Sequence, residues 1–185
     1  MVVNAKSIAA LLALLTTLSI PQLAAAASGN ATTLLNGANQ MNQEGQDMAT
    51  MLRSKAGDNQ AMITMAETIS GDHKANQEAV KALADSRKIT LKDYKKNDAA
   101  NDQMSKLNGA EFNSAFFAMT ISDHNGAIET FKTARSTFKG DRDVQLYIDE
   151  TLPVLKAHLE MLKSLQRASA LGSSQNPANN RTSGK

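Results

Sequence analysis

Between residues 32 and 170, apolar side chains recur every three or four positions through four long segments, and nowhere do they alternate for long with polar ones. A period near 3.6 belongs to an amphipathic helix, whereas a half-buried strand repeats every two residues. This pattern points away from sheet architectures and toward helices that bury one stripe against each other. Composition agrees, because Ala, Met, Leu, Gln, Glu and Lys dominate while Val and Ile are few.

The first segment runs from about Thr32 to Lys55, with Leu34, Leu35, Ala38, Met41, Met48 and Leu52 on its apolar side and Gly57 as its stop. A second begins behind an Asp58 or Asn59 cap and carries Met62, Met65, Ala66, Ile69, His73, Val80 and Leu83 to about Arg87. Polar residues 88–108 read as a crossover with a short helix at 98–107. Asn108 then caps a third helix, with Glu111 placed as in a capping box, and Phe112, Phe116, Phe117, Ile121, Ile128 and Phe131 form its stripe. The fourth runs from Asp141 to about Ala170, and Pro153 within it predicts a kink before His158. Long helices, short outer connections and one longer middle crossover predict an all-α fold, an antiparallel four-helix bundle.

Both ends differ from this middle. "MVVNAKSIAALLALLTTLSIPQLAAAASGN" has a basic start at Lys6, an apolar run from Ile8 to Ile20 and small residues from Ala24 to Ser28. That order is a secretory signal peptide, and the run is shorter than the roughly 20 residues a bilayer span needs. Cleavage is expected after Ala26 or Ala27. From Gly172 onward the chain has too little apolar surface to offset ordering entropy, so a disordered tail is expected. The division is therefore a leader at 1–27, a helical domain at 28–171 and a tail at 172–185, with the mature protein periplasmic or secreted and without a transmembrane segment.

Cysteine is absent, which removes disulfides, thiol catalysis and zinc-thiolate sites. The formal net charge is +2, and +1 once Lys6 leaves with the leader, too balanced for a nucleic-acid partner. Methionines at helical spacing in the first two segments read as core filling before copper ligation.

Three histidines remain, all in equivalent places. His73 lies 14 residues past Asn59, His124 lies 15 past Gly109, and His158 lies 17 past Asp141. At about 1.5 Å per residue, each ring sits roughly 21 to 26 Å from its helix start. Antiparallel neighbours share a midpoint, so all three should lie at one height, on or beside the apolar stripes. Asp72 and Asp123 each precede a histidine, and adjacent positions do not face each other, so each Asp should reach a neighbouring helix. Two arrangements fit: a buried polar layer in which carboxylates hold ring N–H groups, or His73, His124, His158, Asp72 and Asp123 offering donors to one divalent metal ion. A dinuclear oxidase is disfavoured, because Ser70, Ile121 and Leu155, three before the histidines, are not carboxylates. No Ser-His-Asp or glycosidase-like pair stands out.

The stretches "SGDHKANQEAVKALADSRKITL", "LNGAEFNSAFFAMTISDHNGAIETFKTA" and "YIDETLPVLKAHLEMLKSL" resemble the bacterial domain of unknown function 4142 family over roughly residues 40–166. The resemblance rests on Asp72-His73 with Lys74-Ala75-Asn76, Gly109-Ala110-Glu111-Phe112, Asp123-His124, and Thr151-Leu152-Pro153 with His158. It implies an exported helical bundle of ferritin-like type with no settled activity. The family usually shows a Glu followed by a Leu-Gly pair in the first helix, where this chain has Glu44, Gln46 and Asp47, so no first-helix ligand is carried over. Similar proteins are sometimes labelled outer membrane proteins, but ten-residue alternating barrel strands do not occur here.

Three functions follow in order of expectation: a non-enzymatic envelope protein acting by binding or stress protection, a divalent-metal-binding bundle using the His/Asp cluster, and a metal-dependent redox enzyme. No further cofactor or partner is specified, and homo-oligomer formation stays open.

Overall fold

The computed structural model describes residues 30–174. The expected leader at 1–27 lies outside the described residues, as does the tail beyond Ser174. Among the described residues the chain is all-α, with five helices: α1 (Ala31–Lys55), α2 (Gln60–Ser86), α3 (Asp98–Lys106), α4 (Gly109–Thr137) and α5 (Arg142–Ser174). Four are long, and α3 is the nine-residue helix of the crossover. The last helix continues to Ser174, so Gly172 to Ser174, expected as tail, have helical backbone.

Local chemistry sets most ends. The Asn30 side chain accepts from Thr32 N at 2.9 Å and opens α1, and Asn59 does the same for Met62 N at 3.2 Å in α2. Between them Gly57 has φ +54, which lets the chain turn at no steric cost. The end of α2 is a Schellman closure: Lys88 N bonds Asp85 O at 3.0 Å and Ile89 N bonds Ala84 O at 2.9 Å. Lys88 takes the left-handed position there at φ 55, and Ile89 packs against the core. Asn108 does not cap α4 with its side chain. Its Oδ1 accepts instead from Lys55 Nζ at 3.0 Å, and that ammonium also donates to Ser105 O at 2.6 Å. The capping box is thus replaced by a tie from the end of α1 to the start of α4.

Helix directions follow from which residues meet. Asn39 bonds Gln77 and Asn42 bonds Asn76, so α1 and α2 are antiparallel. Arg135 pairs with Asp149 while Asn113 bonds Ser169, so α4 and α5 are antiparallel as well. Arg87 with Asp141 and Asp72 with His158 give the same sense for α2 and α5. The crossover must then climb from the end of α2 to the start of α4 along α1. It is held there by side chains: Asn36 Oδ1 accepts from Lys92 N, Asn39 Nδ2 donates to Lys92 O, and Gln40 Nε2 donates to Asp93 O. These amides satisfy backbone groups of a segment with no ladder of its own.

Two apolar clusters fill the interior. One gathers Leu34, Leu35, Val80, Phe131, Val144 and Ile148, and the other Leu52, Met65, Ile69, Phe112, Phe116 and Leu162. Phe112, Phe116, Phe117 and Phe131 are fully buried, and each contributes about 1.5–3 kcal/mol relative to exposure. They anchor α4 more strongly than any cap. Pro153 is exposed on α5, and the helix runs on through it from Arg142 to Ser174.

At one end, Arg87 grips Asp141 through both carboxylate oxygens at 2.7 and 2.5 Å, while Asp141 Oδ1 accepts from Val144 N at 3.2 Å. One carboxylate therefore caps α5 and ties it to α2. Asp141→Ala is expected to cost about 1–2 kcal/mol, read as a lower urea midpoint with unchanged slope.

Candidate metal centre

Between the two apolar clusters lies a polar layer in which the three histidines converge. Ring centroids are 6.1 Å apart for His73 and His124, 5.5 Å for His73 and His158, and 5.5 Å for His124 and His158. Each ring offers one nitrogen, and these nitrogens all lie within 4.8 Å of one another. The rings come from α2, α4 and α5, and all are buried.

Their tautomers are dictated by their neighbours. The Thr151 hydroxyl donates to Tyr147 O at 2.8 Å, so it must accept from Asn76 Nδ2, also at 2.8 Å. Asn76 Oδ1 is then the acceptor for the Tyr147 hydroxyl at 2.9 Å and for Asn42 Nδ2 at 2.8 Å. That leaves Asn42 Oδ1 to accept from His73 Nδ1 at 3.0 Å. A backbone carbonyl four steps away thus places the proton of His73 on Nδ1 and a lone pair on Nε2. His124 Nδ1 donates to Thr120 O at 2.9 Å, leaving its Nε2 bare. His158 Nε2 donates to Asp72 Oδ2 at 2.9 Å, leaving its Nδ1 bare.

The consequence is a set of unsatisfied lone pairs. His124 Nε2 and His158 Nδ1 face each other at 3.4 Å with no proton between them in these tautomers. His73 Nε2 is buried without a partner. A buried acceptor left bare costs about 1–3 kcal/mol, so the layer is a poor device for stability alone. Extra protons are resisted: burial first, then His124 and His158, lowers His73 to about 3. Burial chiefly lowers His124 to about 4, with the Thr120 carbonyl opposing and His158 adding to the fall. Both rings are neutral near pH 7, the form in which imidazole ligates metals.

Of the five residues singled out in the sequence, the structure brings together His73, His124, His158 and Asp72. Asp72 reaches across from α2 to α5, as the helical phase requires, and its side chain is 45 % exposed. Asp123 meets no imidazole. It lines a cavity of about 80 Å³ between α1 and α4 with Glu44, and burial, then Glu44, pushes its carboxyl up to about 7. Its position on α4 turns it toward α1, away from the rings of α2 and α5.

Sequence reading missed Asn42, Asn76, Thr120 and Gly45. Asn76 was visible only as part of a motif, and the others lie on the buried face as small polar or absent side chains in an apolar stripe, a signal with many causes. Gly45 matters through close approach: a Cβ there would stand 2.5 Å from His73 Nε2. Only glycine lets α1 pass so near the ring.

No helix among the described residues is long and apolar enough to cross a membrane. Neither the curated proteins nor the solved structures yield a match. The family model described as a domain of unknown function, DUF4142, matches residues 17–165, most of the chain and all three histidines, and the chain belongs to that family.

Proposed function

We propose that the protein binds one divalent transition-metal ion, zinc foremost, through His73, His124 and His158. The observation that carries this reading is the direction of the protons. Every ring N–H that can be assigned points outward to Asn42, Thr120 O or Asp72, and a bare nitrogen remains on each ring. Metal-ligating histidines characteristically donate their other nitrogen to a carboxylate, carbonyl or amide in this way. The spacing is consistent too. Two nitrogens on a tetrahedral zinc at about 2.0–2.1 Å stand about 3.4 Å apart, and His124 Nε2 and His158 Nδ1 are separated by 3.4 Å. A ring nitrogen of His73 lies within 4.8 Å of the nitrogens the other two rings offer. Imidazole donors suit zinc, copper, nickel and iron, and the Asp72 carboxylate on His158 offsets part of the charge.

The run of the crossover along α1 supports a ferritin-like arrangement of the four long helices. Lys6, the apolar run to Ile20 and the small residues after Ala24 support export, which makes this a metal-binding protein of the periplasm or exterior, acting by binding. After dialysis against zinc and removal of free ion, elemental analysis should find one zinc per chain. His124→Ala and His158→Ala should each bind none. Retention of a full equivalent by either variant would refute the shared site.

A further inference from the structure

The three ligating rings come from α2, α4 and α5, and α1 supplies none. At the height of the rings α1 carries Gly45, where a Cβ would stand 2.5 Å from His73 Nε2 and also 2.5 Å from its Cδ2. On that same side lies the cavity of about 80 Å³, bounded by Met41, Met48, Ala49, Phe116 and Ala127, with His73 and His124 in its wall. His158 does not line it, and Asp72 closes the opposite side of the His158 ring. One water needs about 10–15 Å³ of such volume, so the space admits a molecule of a few heavy atoms.

We infer that this cavity is the fourth coordination position: a small monodentate ligand reaches the metal from the α1 side, through the cavity that His73 and His124 line. The inference rests on the metal reading above. Three protein ligands and one position open to an exchangeable ligand distinguish a reactive or sensing zinc site from a closed structural one. The walls select by size and polarity. Apolar side chains surround most of the space, and Glu44 and Asp123 add carboxyl groups to its lining.

Cobalt(II) provides the test, because its visible bands report the coordination sphere without any assay of activity. The full chain is loaded with cobalt and titrated with azide, a three-atom ligand. The bands should shift and saturate in the unaltered protein. Ala127→Leu fills the cavity at a residue that supplies no ligand, and should keep its cobalt bands while its azide affinity falls at least tenfold. If that variant does not fold, Ala49→Leu serves on the facing helix. Cobalt bands that never respond to azide, or respond equally in the filled variants, would overturn the open position and leave the metal site standing. Absence of cobalt bands in the unaltered protein would overturn the metal site itself, and this inference with it.

Discussion

Zinc at one hundred times its dissociation constant is expected to raise the melting temperature by roughly 5 to 10 °C. A ligand held only by the native state at that excess adds about 2.7 kcal/mol, and each kcal/mol moves the melting point by about 2–4 °C in a domain of this size. The gain comes from satisfying His73 Nε2, which has no partner, and the facing lone pairs of His124 Nε2 and His158 Nδ1. Calorimetry with and without zinc measures it directly. His73→Ala, His124→Ala and His158→Ala should each lose the shift, because all three rings contribute to one ion. A shift that survived loss of His73 while vanishing with His124 would show a smaller site than the three-ring one. Gly45→Ala should also weaken the response, since its Cβ displaces the His73 ring through a contact of 2.5 Å.

Acid should destabilise the metal-free protein at pH values where an ordinary carboxylate is still ionised. His73 at about 3 and His124 at about 4 lie far below the 6.5 of a free imidazole. Their folded values are depressed, so the unfolded chain binds more protons between 6.5 and about 3 to 4. Stability is therefore fully present above pH 6.5 and falls steadily below it. With each pK unit equal to about 1.4 kcal/mol, each ring costs about 2–3 kcal/mol by pH 4. Asp123 works in the opposite direction. Its carboxyl, pushed up to about 7, holds a proton in the folded state that the unfolded chain lacks above 3.8, so acid relieves it. That relief is no larger than about the cost of one ring, so a net loss of about 2–3 kcal/mol is expected by pH 4. Urea midpoints across pH 7 to 4 read the slope. Asp123→Asn should steepen it, and His73→Gln or His124→Gln should flatten it. A profile flat from pH 7 to 4.5 in both the unaltered protein and Asp123→Asn would contradict the neutral burial of these rings.

The two effects share a cause and compete. Protons and zinc seek the same lone pairs, so the zinc-induced shift should shrink over the same pH range.

How much of this was written in the sequence differs from element to element. The helices were legible because their cause is local: Leu34 to Leu52, or Phe112 to Phe131, repeat with the helical period whatever the chain packs against. The Asn59 cap was legible for the same reason. Asn108 was not, because Lys55, distant in sequence, competes for its oxygen. The common height of the three histidines followed from counting residues, since helical rise is constant and antiparallel neighbours share their middles. Asp72 could be sent to a neighbouring helix by phase alone, but the same logic treated Asp123 alike, and only the packing separates them.

By itself, then, the sequence determined an all-helical chain with three imidazoles at one level, because period, rise and capping act within a few residues. Tertiary structure alone decided which nitrogen of each ring is bare, since the protons are placed by a relay from Tyr147 O through Thr151, Asn76 and Asn42, by Thr120 O, and by Asp72. It also decided that Gly45 gives the His73 ring room to pack against α1. Such choices depend on groups brought together from distant parts of the chain, and no local rule contains them.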